Sequence, residues 1–281
     1  MQRMAGVMVD IIHYSFIIRY INSIFVGIQG RIISFYKTLR KESQMKPLSR
    51  MKLFYSFSIY IIAALLMWLQ THYTIPYLSG KTGQEPILLW FIVGALGIFF
   101  PLILLAIVIL KSEIYKLTYR TWYKRMRFIR MTGPDWLWSI WGILVTAIGM
   151  LIVMGIIALF VDKLGYTPSF MKFEPLGPGR YWLLAFWFVF WIFNIMGEEI
   201  LWRGVMQPRQ ELVSRQYTWV VQGTGWSLFH LAFGWQLWVM LLPLMFIQPY
   251  IVQKTRNSWT GVIIHGAING PGFIAIALGW I

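Results

Sequence analysis

The chain has no cysteine in its 281 residues, which excludes disulfides, thiolate nucleophiles and cysteine-held metal. It is also poor in charge, with 12% Asp, Glu, Lys and Arg together and only ten acidic residues. So little charge beside 58% hydrophobic residues excludes an ordinary water-soluble globule. No internal repeat is found, which counts against a transporter built from inverted repeats. Short alternating segments, the mark of a membrane β-barrel, are lacking as well.

What is present instead is a series of long apolar runs such as LILLAIVIL at 102–110. A bilayer core takes about 20 apolar residues per helix. The runs near 53–71, 87–110, 136–160, 181–206, 218–234, 235–253 and 258–281 meet or approach that length. The fold class is therefore all-α, a polytopic transmembrane bundle of about seven spans. At the N-terminus, VDIIHYSFIIRYINSIF (9–25) is interrupted by Asp10, His13, Arg19 and Asn22 and has no small-residue cleavage pattern after it. It reads as an amphipathic interfacial helix, with Arg31, Lys37, Arg40 and Lys41 meeting anionic headgroups.

The net charge of +15 does not point to nucleic acid, because of where it sits. Lysine and arginine concentrate in 31–52 and in 111–130, short segments abutting apolar spans, which is the positive-inside pattern. Both are read as cytoplasmic, with 72–86 and 161–180 on the other side and the protein in the plasma membrane. Trp136, Trp138 and Trp141 fit an interfacial belt at the cytoplasmic end of the third span. By content the chain divides into an interfacial segment (1–52), a scaffold of three spans with a basic loop at 111–135 (53–180), and a functional core (181–281).

The core holds the ionisable groups that membrane spans normally avoid. Glu198 and Glu199 are the only adjacent acids in the chain, and Arg203 follows Glu199 by four residues, the spacing of a helical ion pair. Asn194 lies one turn before Glu198. Trp226 and His230 share a second apolar segment, and His265 and Asn269 lie four apart on the last span. Counted from the cytoplasmic ends at about 1.5 Å per residue, Glu198, His230 and His265 reach depths of roughly 16, 20 and 12 Å, so the three can meet. Gly270, Pro271 and Gly272 are expected to break the last helix and line a cavity.

A carboxylate with a histidine can polarise a water, and a histidine with an amide can donate to a developing oxyanion. Glu198-Glu199-x-x-x-Arg203, the aromatic-x-x-x-His of Trp226 to His230, and His265-x-x-x-Asn269 together resemble the three motifs of the CAAX prenyl protease 2 and bacteriocin-processing (CPBP, or Abi) family of intramembrane proteases. The resemblance covers about 181–281. It implies a membrane endopeptidase in which Glu198 activates water with help from His230. His265 and Asn269 would stabilise the oxyanion, and Glu199 with Arg203 would organise the site. The second motif usually begins with Phe; here Trp226 stands there, and Trp226 and Phe229 are read as substrate-pocket residues. No cofactor is favoured, the alternative being zinc held by Glu198, His230 and His265. The implied partners are a membrane-associated peptide or protein substrate and the lipid bilayer, with the site opening toward the cytoplasmic side. Two other readings of the same residues are a non-catalytic scaffold that binds another membrane protein and a proton-coupled transporter.

Overall fold

The computed structural model describes residues 26–34, 46–113, 118–168, 170–171 and 173–280. Among them there are helices and turns and no strand. The chain divides into two compact units, Met1–Lys46 with Ile114–Lys116, and Pro47–Glu113 with Leu117–Ile281. Of the first, the described part is a helix over 26–34, exposed along its length, with Lys46. The interfacial helix expected at 9–25, and Lys37, Arg40 and Lys41 after it, lie outside the described residues.

The second unit is the bundle. In chain order it contains α1 (Leu53–Thr82), α2 (Pro86–Glu113), the short α3 (Tyr119–Arg125) and α4 (Gly133–Ala158). There follows a 51-residue run, Leu183–Phe233, made of α5 (Leu183–Glu198), a π-helical stretch (Glu199–Met206), α6 (Gln207–Ser214), a turn and α7 (Thr218–Phe229). Last come α8 (Trp235–Thr255) and α9 (Ser258–Ala277). Six of these described elements, counting the run as one, are long and apolar enough to cross a membrane.

The long run holds two passes. Just before its start, Arg180 pairs with Glu85. Just after its end, the Gln236 side chain accepts from the Gly165 N–H at 2.6 Å. Both ends thus meet connections at one pole of the bundle. Its middle lies at the other pole, where Arg209 pairs with Glu113 and Glu211 with Arg127. The chain thus travels out and back within this one run. Length alone misses the return pass because α7 has 12 residues, about 18 Å of helix.

Helix ends follow local chemistry. Thr132 and Asp135 form a capping box that starts α4, and Thr118 with Thr121 does the same for α3. Two expectations change. The first span does not stop near 71: a π turn at Gln70–Thr74 carries α1 on to Thr82, where Gly83 takes φ +70° and ends it. His72 therefore lies within a span-length helix too, bonded to Thr71 at 2.9 Å. Nor is the last helix broken, since α9 runs unbroken through Pro271 to Ala277. Gly270 lies against Trp191, so this stretch serves as a packing face rather than a break.

The core is aromatic. Phe190 of α5 lies 5.2, 5.3 and 5.6 Å from Trp90, Phe91 and Phe99 of α2. Gly197 allows close approach there, because a Cβ at that position would stand 2.9 Å from the Phe99 carbonyl oxygen. Outward-facing apolar residues such as Phe54, Val108 and Leu151 are exposed, as a lipid-facing surface requires.

The basic pole is tied by buried charge. Glu113 accepts from Arg209 Nε at 2.9 Å and again from its Nη2, pairs with Arg125 at 3.1 Å, and takes a 2.5 Å bond from Ser49. Arg127 grips Glu211 through two bonds of 2.8 and 2.7 Å. Part of the 111–130 positive charge is therefore structural rather than spent on lipid. Removing one partner of a buried pair costs about 3–5 kcal/mol, whereas a more exposed pair contributes about 1 kcal/mol or less. Glu113→Gln should accordingly lower the melting temperature of the detergent-solubilised protein far more than Glu211→Gln, as read by tryptophan fluorescence.

Candidate active site

Glu198 closes α5 and Glu199 opens the π-helical stretch, in which the Gln207 N–H reaches back five residues to the Trp202 carbonyl. π insertions of this kind often occur at functional sites. Glu198, Glu199 and Arg203 are all 0% exposed. Arg203 Nε lies 3.7 Å from Glu199 Oε2, so the expected pair forms, as an ion pair rather than a tight hydrogen bond. Arg203 is further held by Nη1 donating to Gln222 Oε1 at 3.2 Å and by the Trp226 ring, 4.1 Å from its guanidinium carbon. Gln222 in turn donates to the Trp202 carbonyl at 2.9 Å and to Gln210 at 2.5 Å.

Glu199 also takes the other predicted partner. His265 Nδ1 stands 3.0 Å from Glu199 Oε1, which leaves His265 Nε2 free of that bond. Gly261, one turn before His265, makes room: a Cβ there would collide with Glu199 Oε2. Glu198 is held separately. Its Oε1 accepts from Asn194 Nδ2 at 2.9 Å, and its Oε2 accepts from the Trp226 indole N–H. His230 Nδ1 meets the Trp226 carbonyl at 3.0 Å. A carbonyl can only accept, so His230 carries its proton on Nδ1 and, when neutral, presents Nε2 as a lone pair.

Trp226 is thus the hub. Its rings lie 5.5 Å from His230 and 5.1 Å from His265, its N–H bonds Glu198, and its face carries Arg203. The sequence reading gave this residue to substrate fit alone. What the indole does here a phenylalanine cannot do, because it donates to a carboxylate. Asn194 is the other residue whose role was not assigned. The signal was its four-residue spacing to Glu198 on an α-helix. Phe229, expected in the pocket, is not among the lining residues; it packs on Trp202 at 5.8 Å and on His230 at 5.2 Å.

A cavity of about 240 Å³ ends on these groups. Asn194, Trp226, His230, His265 and Asn269 line it, and Glu198 lies one layer behind. Asn269 makes no side-chain hydrogen bond among the described residues and is exposed to this space. The remaining lining comes from the half of the bundle away from the basic pole, including Met150 and Met154 of α4, Tyr166 to Pro168 of the 161–180 connection, and Phe273 of α9. The basic end, toward which the site was expected to open, contributes none of these lining residues. That pole is closed by Trp202, the buried glutamines 207, 210, 222 and 248, and the Glu113–Arg209 pair.

Residues 180–270 match the family model for type II CAAX prenyl endopeptidases, Rce1-like. The match covers about a third of the chain and coincides with the segment that carries the three motifs. No curated protein and no solved structure matches the chain. The match suggests a CAAX-type peptidase, and the apolar helices support an integral membrane protein. As to zinc, no three of the described His, Asp and Glu side chains converge as a metal set. His230 and His265 are engaged through Nδ1, by the Trp226 carbonyl and by Glu199, and each keeps Nε2 for a further partner.

The hub role of Trp226 has a direct check. A hydrogen bond to a charged group is worth about 1.5–3 kcal/mol, and about 1.4 kcal/mol is tenfold. Trp226→Phe, which restores the usual family residue, should keep the fold and lower peptidase activity about tenfold or more. Circular dichroism and turnover of the same preparation would report both.

Proposed function

We propose that the protein is an intramembrane endopeptidase that hydrolyses peptide bonds with a water activated by Glu198. The observation that supports this best is the convergence of Glu198, His230 and His265 around Trp226 at the blind end of the cavity. Each carboxylate oxygen keeps a second lone pair beyond its bond to Asn194 or Trp226, so Glu198 can still accept a water O–H. His230 Nε2 offers a second acceptor from the lining.

In this reading the water's oxygen attacks the scissile carbonyl carbon, and its proton passes to Glu198 or His230. The negative charge that grows on the carbonyl oxygen meets the free amide of Asn269 and Nε2–H of His265 in its imidazolium form, for which Glu199 is the counterion. Collapse of the tetrahedral intermediate breaks the C–N bond, and whichever of Glu198 and His230 took the proton returns it to the leaving amine. Glu199 and Arg203 serve by holding His265 and Trp226. The substrate is a membrane-associated peptide or protein segment that enters from the pole opposite the basic one.

Two outcomes test this reading. Glu198→Gln keeps the shape and the accepting oxygen but cannot take the proton. It should abolish processing in a complemented deletion strain at normal membrane abundance, and full rescue by this variant sinks the mechanism. Because the chain has no cysteine, access can be read with single cysteines. With the basic pole in the cytoplasm, a membrane-impermeant maleimide on intact cells should label Thr167→Cys at the mouth and spare Lys254→Cys. The reverse pattern would put the mouth on the cytoplasmic side.

A further inference from the structure

A second cleft, of about 570 Å³, lies at the basic pole and shares no described residue with the cavity above. Three cations line it: Arg215 in the turn before α7, and Lys254 and Arg256 at the end of α8. All three are exposed, and none forms an ion pair among the described residues. The acid among the described lining residues, Glu211, is already gripped by two bonds from Arg127. Arg127 and Glu211 cancel, so the cleft keeps the charge of the other three.

The walls of the cleft are held together. Gln253 joins them, its side chain accepting from the Trp219 N–H and donating to the Arg215 carbonyl, each at 2.9 Å. Among the described residues the non-glycine positions with positive φ are all arginines of this region. Arg215 (+49°) and Arg256 (+52°) line the cleft, and Arg127 (+59°) holds its acid. Such backbone is disfavoured for a residue with a side chain, and it clusters at ligand clamps.

Two guanidinium forks and an ammonium suit a phosphate group, whose oxygens accept several charge-assisted bonds at once. The rest of the lining is aromatic: Trp219 and Tyr250 lie 5.9 Å apart, and Phe246, one turn deeper in α8, lies 6.3 Å from Trp219. Tryptophan and tyrosine favour the headgroup level of a bilayer, and basic pockets at the ends of spans suit anionic headgroups. We infer that this cleft is a phosphate-group site, filled by the headgroup of an anionic phospholipid whose apolar part meets the aromatic rings. The inference is independent of the peptidase reading, because none of the groups assigned to catalysis lines the cleft.

The test uses the purified full-length protein, delipidated in detergent, and native mass spectrometry with phosphatidylglycerol, phosphatidylcholine and inorganic phosphate as probes. Phosphatidylcholine carries the same phosphate beside a fixed cation. Phosphatidylglycerol should bind about tenfold or more tighter than phosphatidylcholine, and inorganic phosphate at equal concentration should not displace it. Arg215→Gln/Lys254→Gln/Arg256→Gln should lose that preference. Lys111→Gln/Arg120→Gln/Arg130→Gln, which removes the same charge from exposed positions of the basic 111–130 segment, should keep it. Undiminished preference in the first variant, or equal loss in the second, overturns the inference. Displacement by inorganic phosphate keeps the phosphate site and overturns the lipid as its source. As a check that needs no variant, phosphatidylglycerol with a photoreactive headgroup should crosslink the wild type within 211–219 and 250–256. Crosslinks confined to other segments overturn the inference as well.

Discussion

A fully buried guanidinium needs compensating charge and contacts, and Arg203 organises the molecule through that demand. Its charge is met by Glu199 across 3.7 Å, by the face of Trp226, and by Gln222 on another helix. Leaving such a charge unpaired in a low-dielectric interior costs several kcal/mol, comparable with the whole stability of a domain. The partners are therefore constrained as tightly as Arg203 is. Because Glu199 also takes His265 and Trp226 also takes Glu198, compensating one charge positions the last helix and the first glutamate together. The two adjacent acids have different tasks for a geometric reason: one faces the cation and the other faces the indole.

The bundle is polarised along its length. One pole is knotted by Glu113, Arg209, Arg125, Arg127 and Glu211 and then by a layer of buried glutamines. The cavity lies toward the other half, lined by residues of α2, α4, α5, α7, α8 and α9. The ion pairs and the cavity are complementary consequences of one constraint. Charges that cannot face lipid gather where they can pair, while the described lining of the cavity includes no Asp, Glu, Lys or Arg.

The parts of this picture legible in the sequence are those written in composition and short spacing. The apolar runs marked the spans, and the four-residue steps from Glu199 to Arg203 and from Trp226 to His230 marked groups on shared helix faces. Residues 180–270, which carry those steps, are the segment that matches the CAAX protease family. Less legible were features set by neighbours distant in the chain. The π turns at Gln70–Thr74 and Glu199–Met206 have no composition of their own, so the extension of α1 to Thr82 and the register after Glu199 could not be read in advance. Gly270-Pro271-Gly272 looked like a break, yet packing against Trp191 keeps α9 whole.

Sequence alone determined that this chain lives in a bilayer, that its backbone is helical there, and that a few ionisable groups are placed inside against their solvation cost. These follow from transfer free energies and helical periodicity, which are properties of local segments. Tertiary structure decided which acid meets which cation, that Trp226 holds Glu198 as well as lining the cavity, and that Phe229 packs on Trp202. Those outcomes depend on directions of side chains carried by helices far apart in sequence. Their selection is made by pairing and packing in the assembled bundle, where a lone buried charge is too costly to leave where local spacing alone would put it.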